Sequence, residues 1–126
     1  KNVKKSIYDF LNFENIGKKL DYFKNKKFNI KYKGFDNTFV IKKNSRNFVG
    51  TLKNNNSNIQ VDFFSNLPGV QLYSAQNLNY KKKLLPYQGI CLETQYFPDT
   101  PNKKNFPSTL IEPNKRYICS TKIKIS

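Results

Sequence analysis

Residues 89–110, GICLETQYFPDTPNKKNFPSTL, decide the fold of this chain. They begin with a glycine and a short apolar run, so residues 89–95 are predicted to form a β-strand on which Glu93 shares a face with Cys91. Four of the six prolines in the sequence follow between residues 96 and 115. Because proline lacks the N–H group that a central strand donates, this part is predicted to be an ordered loop.

Apolar and polar residues alternate with a period of two along much of the remaining sequence, which predicts further β-strands. The predicted strands are residues 38–43, 47–53, 59–63, 69–74 and 117–125. Residues 14–23 instead have apolar side chains at helical spacing, and they predict one short helix that Gly17 weakens. The sequence therefore predicts an all-β, mostly antiparallel protein with one short helix.

The length of 126 residues is that of a single domain, and an aromatic share of 15 % without tryptophan supports only a small core. The sequence begins at Lys1 and contains no methionine. We therefore expect it to be part of a longer polypeptide, and we expect this part to fold best beside a neighbouring segment.

The formal net charge of +15 raises the question of a nucleic-acid partner, since lysines that neutralise phosphates release counterions. The positive residues are nearly all lysines that lie among asparagines, as in residues 25–27 and 53–56, and only Arg46 and Arg116 are arginines. Bidentate recognition of bases favours arginine. We interpret the lysine excess as a solvated surface, with a basic nucleic-acid-binding β module as the weaker alternative.

Cys91 and Cys119 are the only cysteines, and the chain has no histidine. Two thiols without histidine do not make an ordinary zinc site, which takes four ligands drawn mostly from Cys and His. Two buried free thiols are expected rather than a disulfide. Neither a signal-peptide pattern nor a long apolar run occurs in the 126 residues, so a cytoplasmic protein with no membrane partner is expected.

Acid–base chemistry in a chain without histidine depends on carboxylates, thiols, phenols and amines. Glu93 lies in an apolar strand, where partial burial would raise its pKa towards neutrality, as a general base requires. The simpler alternative is a carboxylate at an exposed strand end or one paired with a lysine. Asp36, two residues after Gly34, is either a turn former or a carboxylate that accepts hydrogen bonds from a polyol. Gln71, inside an apolar strand, needs a hydrogen-bond partner if buried, from the protein or from a ligand.

The run CLETQYFPD at residues 91–99, with the PN and NFPSTL motifs that follow it, closely resembles the carboxy-terminal signature of the aldose 1-epimerases. Other segments are similar to family motifs in the same order: Tyr8-Asp9-Phe10 to F-D-F, Ile16-Gly17 to I-G, residues 34–40 (GFDNTFV) to G-Y-D-H-N-F-V, residues 67–73 (LPGVQLY) to P-G-V-Q-F-Y, and residues 117–126 to the last strand. The resemblance covers essentially the whole chain and corresponds to roughly the final third of a family member.

This resemblance implies a galactose mutarotase-like β-supersandwich, of which residues 1–126 would be the carboxy-terminal part of a single domain. It implies an isomerase of carbohydrate metabolism that interconverts the α and β anomers of hexoses such as galactose and glucose. Glu93 would take the proton from the anomeric hydroxyl, while Asp36 and Gln71 would bind the sugar. No metal or organic cofactor is implied. The expected protein is a monomer whose partners are a hexose and the upstream part of the same protein, not nucleic acid.

Two positions depart from the family pattern. Asn37 stands where the family has a histidine after the aspartate, and residues 74–76 (SAQ) replace T-G-N, which is expected to alter loop packing over the sugar. The family's histidines, one of which protonates the ring oxygen, and an arginine lie upstream of Lys1. We therefore expect the segment alone to be inactive and to expose sheet surface that further strands would cover. A sugar-binding relative that has lost catalysis is the alternative.

Overall fold

The computed structural model describes residues 2–25 and 33–126. Within them the chain forms one α-helix and six β-strands, namely α1 (Ile16–Lys24), β1 (Asp36–Val40), β2 (Phe48–Asn54), β3 (Ile59–Ser65), β4 (Gly69–Tyr73), β5 (Cys91–Gln95) and β6 (Thr121–Ile125). The predicted all-β class with one short helix is confirmed, and each predicted strand has an observed counterpart. Residues 26–32, which carry part of the lysine excess, lie outside the described residues.

The chain divides into two compact units. The first comprises Lys1–Asp36 and Tyr73–Ile90, and the second comprises Asn37–Leu72 and Cys91–Ser126. The strands form two three-stranded sheets, ordered β1-β4-β5 and β2-β3-β6. The second of these sheets lies wholly in the second unit.

The core of the first unit forms around a phenylalanine. Helix α1 is capped at its amino-terminal end by Asn15, whose side chain accepts a hydrogen bond from the N–H of Lys18. Leu20 and Phe23, three residues apart on one face of the helix, are buried. Phe35 is fully buried, and its ring lies edge-to-face with that of Phe23 at a centroid distance of 5.0 Å.

The backbone at Phe35 is held by Ser74, which is 1 % exposed. The N–H of Phe35 donates to the Ser74 Oγ at 2.9 Å, and the N–H of Ser74 donates to the Phe35 carbonyl at 3.1 Å. Residue 34, just before Phe35, is a glycine. A larger residue would not fit, because a Cβ there would lie 2.5 Å from the Ser74 Oγ. These contacts fix the backbone immediately before Asp36, the first residue of β1.

The β2-β3-β6 sheet is antiparallel and has one apolar face. Its register sets Leu52 opposite Val61 and Val61 opposite Ile125, so these three side chains form one row. The next row contains Phe63 opposite Ile123. Phe63 is buried, but Ile123 and Ile125 on the edge strand are 56 % and 72 % exposed. The apolar face is therefore only partly covered within the described residues.

Strand β6 begins at Thr121, later than the predicted start at residue 117. Before Thr121, backbone groups of this segment form hydrogen bonds with the side chain of Asn66. The Asn66 amide donates to the Ile118 carbonyl at 3.0 Å, and its Oδ1 accepts from the Ser120 N–H at 2.9 Å. Both backbone groups would otherwise pair with a neighbouring strand. Together with the hydrogen bond from the Asn66 N–H to the Ser120 carbonyl at 3.4 Å, these contacts hold the segment before β6 outside the regular strand.

The proline-rich loop is ordered, as predicted, and residues 96–115 contain no strand. A single 3-10 turn spans Thr100–Asn102. Asp99 precedes it in the left-handed region, with φ 64°, and accepts a hydrogen bond from the Asn102 amide at 2.6 Å. Phe97 and Phe106 pack edge-to-face at 5.2 Å between ring centroids. This aromatic contact closes the loop on itself.

The prediction of buried thiols is wrong. Cys91 and Cys119 are free cysteines, and both are exposed. Cys91 opens β5 and Cys119 lies just before β6, where each strand borders solvent on one face. In the part of the chain that the structure describes, no helical segment has the length and hydropathy of a membrane span.

Candidate active site

Glu93 occupies the middle of the five-residue strand β5. Its side chain is exposed, so the partial burial expected from the apolar sequence before it is not observed. Among residues 2–25 and 33–126 its carboxylate has no ion pair or hydrogen bond, which excludes the predicted alternative of a lysine partner within them. Both oxygens can therefore accept a hydrogen bond or a proton from a hydroxyl group.

The opposite face of β5 is anchored by threonines. Thr94 points away from Glu93 because side chains alternate along a strand, and its Oγ1 lies 2.5 Å from the Oγ1 of Thr121 in β6. Two residues further on, the rings of Tyr96 and Tyr117 lie 6.5 Å apart. Burial, together with the nearby thiol of Cys119, raises the pKa of Tyr117. This face is taken up by protein contacts, which leaves the Glu93 face open.

Gln71 lies at the centre of β4 and is half-buried. Its Oε1 accepts a hydrogen bond of 2.5 Å from the Thr38 hydroxyl of β1. The sequence predicted that a buried glutamine needs a hydrogen-bond partner. For the Gln71 Oε1 that partner is Thr38, a residue of the protein. The bond fixes the amide plane of Gln71 and with it the direction in which this side chain presents its remaining polar groups.

Asp36 is exposed and begins β1. Because strand side chains repeat every two residues, Asp36 points to the same face of β1 as Thr38. Asp36 has the backbone conformation of a strand, so the alternative in which it forms a turn is not observed. Strand β4 lies between β1 and β5 in its sheet, so Asp36, Gln71 and Glu93 lie on three adjacent strands.

Gly69, the glycine of the predicted PGVQ motif, permits a close contact beside Gln71. A Cβ at residue 69 would lie 3.0 Å from the ring of Phe97 and 3.1 Å from the methyl group of Thr38. Gly69 and Gln71 share a face of β4, so the Phe97 ring covers the strand next to the glutamine. The glycine and the phenylalanine belong to two separate motifs that the fold brings together.

Sequence reasoning missed the roles of Thr38 and Phe97. Thr38 could have been found from its spacing of two residues after Asp36 on a predicted strand. Phe97 had no such signal, because its contact with Gly69 depends on the course of the chain after β5. Among the described residues, no three His, Cys, Asp or Glu side chains cluster closely enough to hold a metal ion.

The chain is similar in sequence to a known family and to several named proteins. A family model described as aldose 1-epimerase matches residues 1–124. Over 100 residues the chain is 32 % identical to a galactose mutarotase of Mus musculus and 31 % identical to one of Bos taurus. A galactose mutarotase of Homo sapiens is 32 % identical over the same length. Each alignment covers 74 % of this chain but only 29 % of the relative.

Proposed function

The chain belongs to the aldose 1-epimerase family, and from that premise we propose that it forms the carboxy-terminal part of an enzyme that interconverts the α and β anomers of a hexose such as galactose or glucose. The named relatives are galactose mutarotases, and this chain spans 29 % of their length. The observation that carries the proposal is the glutamate of the LETQ motif, which is exposed in the middle of β5 and has no ion pair or hydrogen bond among the described residues. We further propose a cytoplasmic monomer that acts on a free sugar.

In this proposal Glu93 is the general base. Its carboxylate takes the proton from the anomeric hydroxyl, the oxygen forms the aldehyde carbonyl, and the bond between the anomeric carbon and the ring oxygen breaks. The ring oxygen takes a proton from a histidine in the upstream part of the protein. Rotation about the bond next to the aldehyde and closure on its other face give the second anomer. Base and acid must hold one sugar between them in one geometry.

Asp36 and Gln71 are proposed to bind the sugar. A carboxylate accepts hydrogen bonds from hydroxyl groups, and the carboxylate of Asp36 points to the same face of β1 as Thr38. Thr38 holds the Gln71 amide through its 2.5 Å hydrogen bond, which reduces the rotamer freedom that Gln71 loses when a sugar binds. Thr38 is therefore proposed as a positioning residue for Gln71.

The exposure of Glu93 favours a role for further chain in completing the site. A base in water is less effective than one in a site from which water is excluded, since preorganised dipoles act more strongly there. The upstream part of the protein is proposed to supply both the histidine and this exclusion of water. On its own, the 126-residue segment is then expected to show no catalysis.

The test compares Glu93→Gln with wild type in the full-length polypeptide, with anomer interconversion of galactose followed by polarimetry. Loss of the base is expected to lower kcat by about 10²–10⁴-fold, while galactose still binds because the amide keeps the shape of the carboxylate. Glu112→Gln is the matched control, since Glu112 is an exposed glutamate that pairs with Lys115. It should retain the wild-type rate.

Retention of wild-type kcat by Glu93→Gln would overturn the assignment of the base. A second candidate, a sugar-binding relative without catalysis, is favoured by the exposure of Glu93, since a base in water is less effective than one in a site that excludes water. It predicts that wild-type protein binds galactose by calorimetry without accelerating mutarotation. The two readouts therefore separate the proposals.

A further inference from the structure

A groove in the second unit has a lining that includes none of Glu93, Asp36 and Gln71. It has a volume of about 460 Å³, within the usual range for small-molecule sites, and is lined by Arg46, Asn47, Phe64, Ser65, Ser120 and Lys122. These residues come from the turn before β2, the end of β3 and the start of β6. We call it the turn groove.

The walls of the turn groove are held by hydrogen bonds. The side-chain oxygen of Asn44 accepts from the N–H groups of Arg46 and Phe48 at 3.1 and 3.0 Å, which fixes the turn. The Asn47 carbonyl accepts from the Ser65 N–H at 2.8 Å, which ties this turn to β3. Such a preformed wall lowers the ordering cost of binding.

The opposite wall is joined through a buried serine. Ser65 is 4 % exposed, and its hydroxyl donates to the Ser120 carbonyl at 3.1 Å. Lys122 pairs with Phe64 across the sheet, with its Nζ 5.9 Å from the centre of that ring. The ammonium of Lys122 therefore lies over the aromatic ring of Phe64, and both residues line the groove.

The charge of the turn groove is positive and uncompensated. No carboxylate lines it, and neither Arg46 nor Lys122 forms an ion pair within the described residues. Two cations match the charge of a phosphate monoester, about −1.5 to −2 at neutral pH. The guanidinium fork suits two phosphate oxygens, while the ammonium acts as a point charge.

We propose that the turn groove binds the phosphate group of a small organic phosphate monoester, with Arg46 and Lys122 as its ligands and the Phe64 ring against the organic part. This proposal assigns a binding role to Arg46, one of the two arginines in a sequence whose remaining positive residues are lysines. Its proposed ligands are none of the residues proposed to bind or transform the sugar, so the inference does not depend on mutarotation. It also proposes a ligand for Arg46 and Lys122, which have no role in the proposed mutarotase reaction.

The test titrates the protein with phenyl phosphate at constant ionic strength and follows the backbone amides by NMR. Saturable binding with a Kd of about 1 mM or below is expected, with the largest shifts at Arg46, Asn47 and Ser120. Arg46→Ala should weaken binding by about 10-fold or more, because it removes hydrogen bonds between charged groups. Lys122→Ala should weaken it to a smaller extent.

Arg116→Ala is the matched control, since it removes the same charge at an exposed position outside the groove. It should leave the affinity for phenyl phosphate unchanged. Equal weakening by Arg46→Ala and Arg116→Ala would overturn the proposal in favour of diffuse charge attraction. Absence of saturation, or shifts centred elsewhere, would also overturn it. Tighter binding of a single-stranded oligonucleotide that depends equally on both arginines would identify a nucleic-acid surface instead.

Discussion

Replacing Gly69 by alanine tests the contact on which the candidate active site depends. The added Cβ would lie 3.0 Å from two atoms of the Phe97 ring and 3.1 Å from the Thr38 methyl group, closer than ordinary van der Waals contact. Gly69, like the other glycines among the described residues, does not have a positive φ, so alanine meets no backbone strain there and packing decides the effect in the folded state. Overpacking of this kind destabilises by about 1–3 kcal/mol.

A smaller opposing effect comes from the unfolded state. Alanine restricts the unfolded backbone more than glycine does, which stabilises the folded protein by about 0.4–1 kcal/mol at a compatible position. The expected net loss for Gly69→Ala is therefore about 1–2 kcal/mol. With a urea m-value of about 2 kcal/mol/M, the midpoint of unfolding should fall by about 0.5–1 M.

The chain offers a matched control in Gly50, which also lies within a strand. A Cβ there meets no atom within 4 Å, so Gly50→Ala should keep only the unfolded-state effect and raise the urea midpoint slightly. Tyrosine fluorescence and far-UV circular dichroism can follow unfolding, since the sequence has eight tyrosines and no tryptophan. If both variants shift the midpoint in the same direction and by the same amount, Phe97 does not pack on Gly69 and the reasoning is refuted.

Two further predictions concern the backbone at residue 75 and a carboxylate near the amino terminus. Ala75 has φ 52°, where the family motif T-G-N has glycine, so Ala75→Gly should relieve about 1–2 kcal/mol of strain and lose about 0.4–1 kcal/mol through the freer unfolded chain, which raises the urea midpoint slightly; a clearly lowered midpoint would contradict the left-handed conformation. The N–H groups of Lys5 and Leu11 donate to the Asp9 carboxylate and lower its pKa below 3.8. Since the folded pKa is the lower one, the stabilisation by Asp9 is present above pH 3.8 and is lost as the pH falls through the folded pKa. NMR titration of this carboxyl should give a pKa below the ordinary value for an aspartate, and Asp9→Asn should remove that part of the acid sensitivity; a pKa that is not lowered would contradict the two hydrogen bonds.

Much of the fold followed from local patterns. The alternation in residues 59–63 predicted β3, and the four prolines predicted the loop after β5, because both signals depend only on neighbours along the chain. Helix α1 was predicted from apolar spacing despite Gly17. The strand before Ser126 was predicted too long, because the side chain of a distant residue, Asn66, takes the hydrogen bonds of its first part.

The candidate site was predicted residue by residue through the family motifs, but its surroundings were not. Apolar neighbours in sequence suggested that Glu93 would be partly buried, and the structure leaves it exposed. Burial depends on what lies across the sheet, and a strand's own sequence does not contain that information. The same reason explains why Cys91 and Cys119 were wrongly expected to be buried.

The sequence by itself determined the family, the order of the strands along the chain, and the identity of Glu93, Asp36 and Gln71 as candidates. These conclusions depend on residue types and short spacings, which are properties of the sequence and do not depend on its tertiary structure. Only the tertiary structure decided that Thr38 holds Gln71 across 33 positions and that Asn66 holds Ser120 across 54. Such contacts depend on sheet order and register, which bring together segments whose local patterns are independent of each other.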